Sequence, residues 1–291
     1  MRFTALPIVS ALIAAAAGAA AAQELAAFRA DVRMVEVDAT VLDNRGRFMT
    51  GLQRDQFTVL DNGEPQRISF FETASAGALS RAILMDTTGS MADDLPLVKN
   101  AIIRLIDELP PDSRIAVFTF ANSVTTALDF TTDKKLAKQR VLRTSAQGGT
   151  ALFDAIVQVS HQVAKENGKK FLIVFTDGAD NASALGALAA TNRAKKVGVP
   201  VYAIAQGEAK HNRNLVQVLR GIASQTGGET YRVERSAEIE KVFLDITKEM
   251  QHTYMLAYKA PEAPVRDWRR IQVAISGLKG GSIRAKQGYL P

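Results

Sequence analysis

Between residues 35 and 41 apolar and polar side chains alternate, with Val35, Val37, Ala39 and Val41 set against Glu36, Asp38 and Thr40. A period of two is that of a strand with one buried face. "DNRGR" supplies a turn behind it, and "QFTVLDNGEPQRISFF" reads as strand, turn, strand with the bend at Asn62-Gly63. Residues 73–80, "TASAGALS", are small and polar and read as a linker. From Arg81 the pattern changes. "AILM" (82–85), "RIAVFTF" (114–120), "KFLIVFTD" (170–177) and "VYAIA" (201–205) are largely apolar runs without alternation, as in strands covered on both faces. Between them, apolar residues recur at helical spacing. Leu95, Val98, Ile102, Leu105, Ile106 and Leu109 form one stripe, and Leu152, Phe153, Ile156, Val159 and Val163 form another. Further helices are expected near 133–143, 184–197, 212–225 and 236–250. A strand over "VTTALDF" (124–130) should pair back on its predecessor, and a short strand is expected at 230–233.

After Met250 the β pattern returns in "YMLAYK", "RIQVAIS" and "SIRAKQGYL". The predicted fold class is α/β, a doubly wound, mostly parallel sheet with helices on both faces. The first β unit is too small to bury a core alone. Residues 32–71 and 253–288 should therefore meet as one small β layer or sandwich beside the α/β domain. The expected organisation is a leader over 1–22, an N-terminal β segment over 23–76, the α/β domain over 77–250, and a C-terminal β segment over 251–291.

The leader is read from "MRFTALPIVSALIAAAAGAAAAQE", in which Arg2 precedes an apolar stretch and small residues run to Ala20-Ala21-Ala22. This is the layout of a secretory signal peptide, with cleavage expected near Ala22. A retained membrane anchor is the alternative, although Pro7, Gly18 and the alanine content make it a poor span. No other stretch has the apolar length to cross a bilayer. The chain of 291 residues has no cysteine, which excludes disulfides, thiolate metal sites, cysteine nucleophiles and a lipidated cysteine after the leader. The expected product is secreted or periplasmic and soluble. Formal net charge is +6, spread over short pairs such as Lys134-Lys135 and Arg269-Arg270. That is a solvated basic surface, not the dense stripe that nucleic-acid binding needs.

Three places in the α/β region put oxygen-bearing side chains at the carboxyl end of a strand or the start of a helix. These are Asp86-Thr87-Thr88-Gly89-Ser90, Thr150 in "GGTALFDAI", and Asp177 in "FTDGADN". In a doubly wound sheet such loops meet in the crevice where ligands bind. Each has an ordinary reading as well. Asp86, Ser90 and Thr150 could cap helices, and Asp177-Gly178 is a common turn pair. Gly148 and Gly149 are expected to let the backbone approach a metal closely, Asp180 and Asn181 to line the rim, and Asp93 and Asp94 to act as capping charges. As a set, two carboxylates and three hydroxyls suit a hard divalent cation, which takes oxygen ligands and keeps several waters.

"DTTGSM", "GGTALFDAI" and "FTDGADN", in this order, resemble the metal-ion-dependent adhesion site of von Willebrand factor type A domains, and "SQTGGETYRV" resembles the segment before that family's last helix. The resemblance covers about 81–250. It implies a Rossmann-like fold with Asp86, Thr88, Ser90, Thr150 and Asp177 around Mg2+, or Mn2+ or Ca2+. Thr88 stands where the family has serine. The flanking "VLDNRGRFMTGLQRDQFTVLDNGEPQRISFFE" and "AKQGYLP" are similar to exported von Willebrand factor A-related proteins described from acidobacteria. The implied function is a metal-dependent adhesion or assembly module whose protein partner supplies an Asp or Glu to the metal. The alternatives are an envelope protein stabilised by its metal, and a metal-dependent hydrolase. For the last, no G-x-S-x-G or H-E-x-x-H is present, and His161, His211 and His252 are scattered. The expectation is of no enzyme and no catalytic residues.

Overall fold

Asn62 and Gly63, at φ 51° and 89°, close a two-residue turn of the kind that matches the twist of a hairpin. In the computed structural model, which describes residues 33–73, 79–167, 169–234, 238–262, 267–278 and 280–291, this turn joins β2 (Phe57–Asp61) to β3 (Glu64–Gln66). The expected leader, residues 23–32 of the expected N-terminal β segment and residues 74–78 of the expected linker lie outside the described residues. Before the hairpin runs β1 (Met34–Leu42), and after it β4 (Ile68–Glu72). The alternation in β1 is realised in its burial, with Val35, Val37, Ala39 and Val41 all buried.

Leu79 and Ser80, read from sequence as linker, instead begin β5 (Leu79–Asp86). There follow α1 (Leu95–Glu108), β6 (Arg114–Phe120), β7 (Val124–Thr131), α2 (Lys134–Leu142), α3 (Leu152–Val163), β8 (Lys169–Thr176), α4 (Ala187–Val197), β9 (Val201–Ala205), α5 (Arg213–Thr226), β10 (Thr230–Arg232) and α6 (Ile239–Gln251). Six strands form one sheet in the order β10-β9-β8-β5-β6-β7, parallel except for β7. Alternate residues of the strands face opposite layers. Ile83, Met85, Ile173 and Phe175 pack with Leu105 of α1, Val141 of α2 and Phe243 of α6. Leu84, Leu172, Val174 and Ala203 pack with Ile156 of α3, Ala194 of α4 and Leu219 of α5. Both faces are covered, which is why these strands read as continuous apolar runs. Burial on this scale, at about 25 cal/mol per Å2 of apolar surface, holds the layers together without disulfides.

One residue after α6 the chain enters β11 (Thr253–Lys259), followed by β12 (Arg269–Ile275), β13 (Ser282–Ala285) and β14 (Gly288–Tyr289). Two four-stranded sheets result, β13-β1-β11-β4 and β14-β12-β2-β3. They share a core of Val37, Val59, Ile68, Leu256, Tyr258 and Ile271, so the first and last segments of the chain form a sandwich. The last stretch, "SIRAKQGYL", reads as one strand but forms two. β13 pairs with β1 and β14 with β12, and between them Gln287 is held to the helical body, its N–H donating to the Gln225 carbonyl (3.2 Å) while its own carbonyl accepts from Ile271 N–H (3.0 Å). A fully buried carboxylate anchors the sandwich. Asp61 accepts from Tyr258 Oη (2.9 Å), Tyr289 Oη (2.9 Å) and Arg269 Nε (2.6 Å), the pairing that a buried charge requires.

The strand order places the site. From β5 the chain winds outward to β6 and β7, then returns to the other side of β5 at β8. The loops after β5 and β8 open at this reversal, where α/β sheets bind ligands. Among the described residues, no helix is long and apolar enough to cross a membrane.

Candidate metal centre

β5 ends at Asp86, whose side chain is fully buried. Its two oxygens have separate partners. Oδ1 accepts the Thr88 N–H (3.0 Å), fixing the loop that follows, and Oδ2 accepts the hydroxyl of Thr176 (2.8 Å), the last residue of β8. Thr88 Oγ1 lies 3.0 Å from Ser90 Oγ, and Ser90 Oγ donates to Asp177 Oδ1 at 3.1 Å. Thr150 completes the group. A Cβ built on Gly178 would sit 3.8 Å from Thr150 Oγ1 and 3.9 Å from Ser90 Oγ, so both hydroxyls flank the same glycine. The structure thus brings together all five residues singled out from sequence. Asp86, Thr88, Thr150 and Asp177 are buried, while Ser90 is exposed at the mouth.

Burial raises the pKa of both carboxyls. Asp177 is pushed up to about 6, first by desolvation and next by the charge of Asp86, with the Ser90 hydroxyl pulling the other way. Asp86 is also raised by desolvation, opposed by the Thr88 N–H and the Thr176 hydroxyl. Two carboxylates that disfavour each other's charge in a buried, hydroxyl-rich crevice are what a divalent cation would relieve. Among the described residues no group of three or more His, Cys, Asp or Glu side chains is placed to hold a metal. The candidate here rests on two carboxylates plus hydroxyls.

The loops around these ligands are tied by contacts that the sequence alone did not show. Thr150 is not a helix cap. The N-cap of α3 is Ala151, which makes no side-chain capping bond. The helix start is instead capped from the 177–186 loop, where Asp180 Oδ2 accepts Phe153 N–H (2.9 Å) and Ser183 Oγ accepts Asp154 N–H (3.0 Å). The Asp154 carboxylate reciprocates by accepting the Ala184 and Leu185 N–H groups (2.7 and 3.0 Å). Asn181 Oδ1 accepts the Thr150 N–H (2.8 Å). Asp180 and Asn181, expected at the rim, therefore hold the ligand loops in register.

Gly148 and Gly149 meet requirements that the sequence did not show. Gly148 has φ +89°, and a Cβ on Gly149 would come within 2.8 Å of Asn122 Oδ1 and 3.2 Å of Asn181 Oδ1. At Gly149 the side-chain amides of two neighbouring loops leave no room for a Cβ, and Asn122 Oδ1 accepts the Gly149 N–H (2.8 Å). Asp94 precedes α1 but makes no side-chain capping bond. Its Oδ2 accepts from Gln206 Nε2 (3.3 Å), and its charge helps raise the Asp177 pKa. Thr176, Asn122 and Gln206 were missed in the sequence because each acts through a contact with a residue distant in the chain.

Among solved structures the fold is shared with a von Willebrand factor type A protein from Catenulispora acidiphila (15% identity, TM-score 0.54, covering 89% of this chain and 73% of that one). It is also shared with proximal thread matrix protein 1 from the mussel byssus, solved with a zinc-occupied MIDAS motif (21% identity, TM-score 0.52, 67% of this chain and 50% of that one). The D319A mutant of the PilB minor pilin from Streptococcus sanguinis is a third (14% identity, TM-score 0.51, 61% and 62%). None of the curated proteins matches the sequence. The family model of the von Willebrand factor type A domain matches residues 82–245, more than half of the 291 residues, and the chain belongs to that family.

Proposed function

We propose that this chain is an exported, metal-dependent protein-binding module for adhesion or assembly. Asp86, Thr88, Ser90, Thr150 and Asp177 would hold one hard divalent cation, Mg2+ or else Mn2+ or Ca2+. The observation that carries the reading is the bonded series from Thr88 through Ser90 to Asp177, set beside Asp86. It lines up hydroxyls and carboxylates from loops far apart in the chain, with oxygen donors only, the chemistry of a hard cation. Family membership and the zinc-occupied motif of the mussel protein support it. Thr88 keeps the hydroxyl that the family's serine would supply. The two carboxylates formally balance a divalent charge, and with Ser90 exposed at the mouth the coordination position left over by the five side chains would open there to a hard oxygen ligand. A partner's Asp or Glu is the group that such a cation draws in.

The role is binding and not catalysis. His252 stacks on Phe48 (centroids 5.1 Å apart) and its Nδ1 lies 2.5 Å from the Lys248 carbonyl, a packing role. Export rests on the leader-like first 22 residues. Calorimetry of the purified chain with Mg2+, Mn2+, Ca2+ and Zn2+ tests the metal. One cation should bind per chain, and Asp86→Ala should abolish it. Equal binding by wild type and variant would overturn the reading.

A further inference from the structure

A groove of about 730 Å3 opens beside the candidate centre. We propose that it receives a second carboxylate of the same partner, so that the ligand is an extended acidic peptide segment, one acid at the cation and another at Arg140 and Arg143. This inference rests on the metal-dependent reading above and adds to it the chemical class of the partner.

Continuity is the first argument. The groove is lined by Thr87, Gln147 and Gly148, and these residues also fasten the ligand loop. Thr87 follows Asp86 directly, its carbonyl accepts the Gln147 N–H (2.7 Å), and Gly89 N–H donates to the Gly148 carbonyl (3.3 Å). One wall of the groove is therefore the back of the loop that carries Thr88 and Ser90. A chain whose carboxylate reaches the cation can lie over this wall.

Charge is the second. Arg140 and Arg143 both line the groove, and no Asp or Glu does. Arg140 lies in the last turn of α2 and Arg143 is its C-cap residue, still in helical backbone conformation, so their three-residue spacing puts both side chains on one side of the helix end. The helix dipole favours cations at that end, but it does not require both to border one groove. Both are exposed, and among the described residues neither forms an ion pair. Arg47, Arg104, Arg114, Arg269 and Arg284 all do. A guanidinium fork matches a carboxylate in two-point geometry.

The remaining lining suits a peptide main chain. Thr125 and Thr126 belong to β7, one of the two edge strands of the six. An extended segment can hydrogen-bond along such an edge, and the hydroxyls offer donors and acceptors where an apolar ligand would find none.

The test is fluorescence anisotropy of the full chain in Mg2+. One probe is a fluorescein-labelled Gly/Ser peptide carrying a single Asp. The others carry a Glu moved to each successive position along it. At one window of spacing the second acid should tighten binding by about tenfold to a hundredfold. The gain should shrink in high salt and vanish in Arg140→Gln/Arg143→Gln, while the single-Asp peptide binds that variant as it binds wild type. If the single-Asp peptide binds with Mg2+ and no Glu position improves on it, the groove proposal fails and the metal reading stands. A gain that survives the double variant also overturns the groove proposal. Failure of every peptide to bind in Mg2+ overturns both.

Discussion

Ser90 and Asp177, 87 residues apart in sequence, are joined by a 3.1 Å hydrogen bond from hydroxyl to carboxylate. The bond spans the loops after two neighbouring strands and sets the spacing of two of the five proposed ligands. Ser90→Ala removes a ligand oxygen and the bond together, and should lower Mg2+ affinity by more than about tenfold. The informative companion is Thr176→Val. Thr176 is not a proposed ligand; it donates to Asp86 Oδ2 at 2.8 Å. Outer partners of this kind are worth about 10–100-fold in metal affinity. Calorimetry should show that loss in Thr176→Val with the thermal transition retained. Unchanged affinity would mean that Asp86 is oriented by its backbone contacts alone.

The reciprocal contacts between α3 and the 180–185 segment make a second prediction. Asp180 caps the helix start from outside, while Asp154 receives two N–H groups of the opposing loop. Asp180→Ala should cost about 0.5–2 kcal/mol in urea unfolding, the range for a lost helix cap. Combined with Asp154→Asn, the effects should depart from additivity by about 0.5 kcal/mol or more, because both act on one junction. The same variants should weaken Mg2+ binding, since Thr150 and Asp177 sit on the two sides of that junction. Strict additivity with intact metal affinity would show that the two loops are positioned independently.

These residues also mark how far the sequence could be read. The β5, β8 and β9 runs and the α1 and α3 stripes were legible because burial on two faces or on one stripe leaves a local periodicity. The five ligand candidates were legible as a set because three segments at strand ends and a helix start follow the order of the adhesion-site motif that they resemble; singly, each had an ordinary reading as a cap or turn residue. Thr176 was hidden at the end of an apolar strand, and its role exists only because β8 lies beside β5. Asp180 looked like rim chemistry because nothing local shows that it reaches Phe153. The division of "SIRAKQGYL" between two sheets was equally invisible, since it depends on Gln287 meeting Gln225 of α5.

Asp38 supplies a pH dependence. It lies on β1, partly buried, with Oδ1 shut off from solvent and unpartnered. Burial pushes its carboxyl up to about 6 from 3.8, with Lys286 and Lys170 pulling the other way. An acid with a raised folded pKa holds its proton more tightly in the folded state, so stability falls as pH rises. The cost should be absent below about pH 4 and complete above about pH 6. Asp38→Asn should match wild type near pH 4 and melt higher than wild type at pH 8. Thermal melts across that range check it, and a variant less stable at pH 8 would show that the ionised carboxylate is stabilised by its lysine neighbours.

Arg284 couples the sandwich to the α/β body. It extends from β13 to Glu249 of α6 (2.7 Å) and to Glu229 before β10 (2.8 Å), and Glu249 also accepts from Tyr202 Oη (3.0 Å). Glu249 is only 1% exposed. Desolvation raises its pKa and Arg284 counters that rise. Removing one partner of a buried pair strands the other, at about 3–5 kcal/mol, whereas replacing both by apolar groups is often neutral. Arg284→Met should therefore destabilise strongly, and adding Glu249→Gln, which removes the stranded charge but keeps an acceptor for the buried Tyr202 hydroxyl, should recover part of the loss. The contact also ties two separate hydrophobic cores, one in each body. With it cut, the sandwich should unfold before the α/β body and urea unfolding should separate into two steps, since cooperativity across units depends on the interface between them. A single step of unchanged midpoint in Arg284→Met would show that the apolar junction carries the coupling without the charge pair.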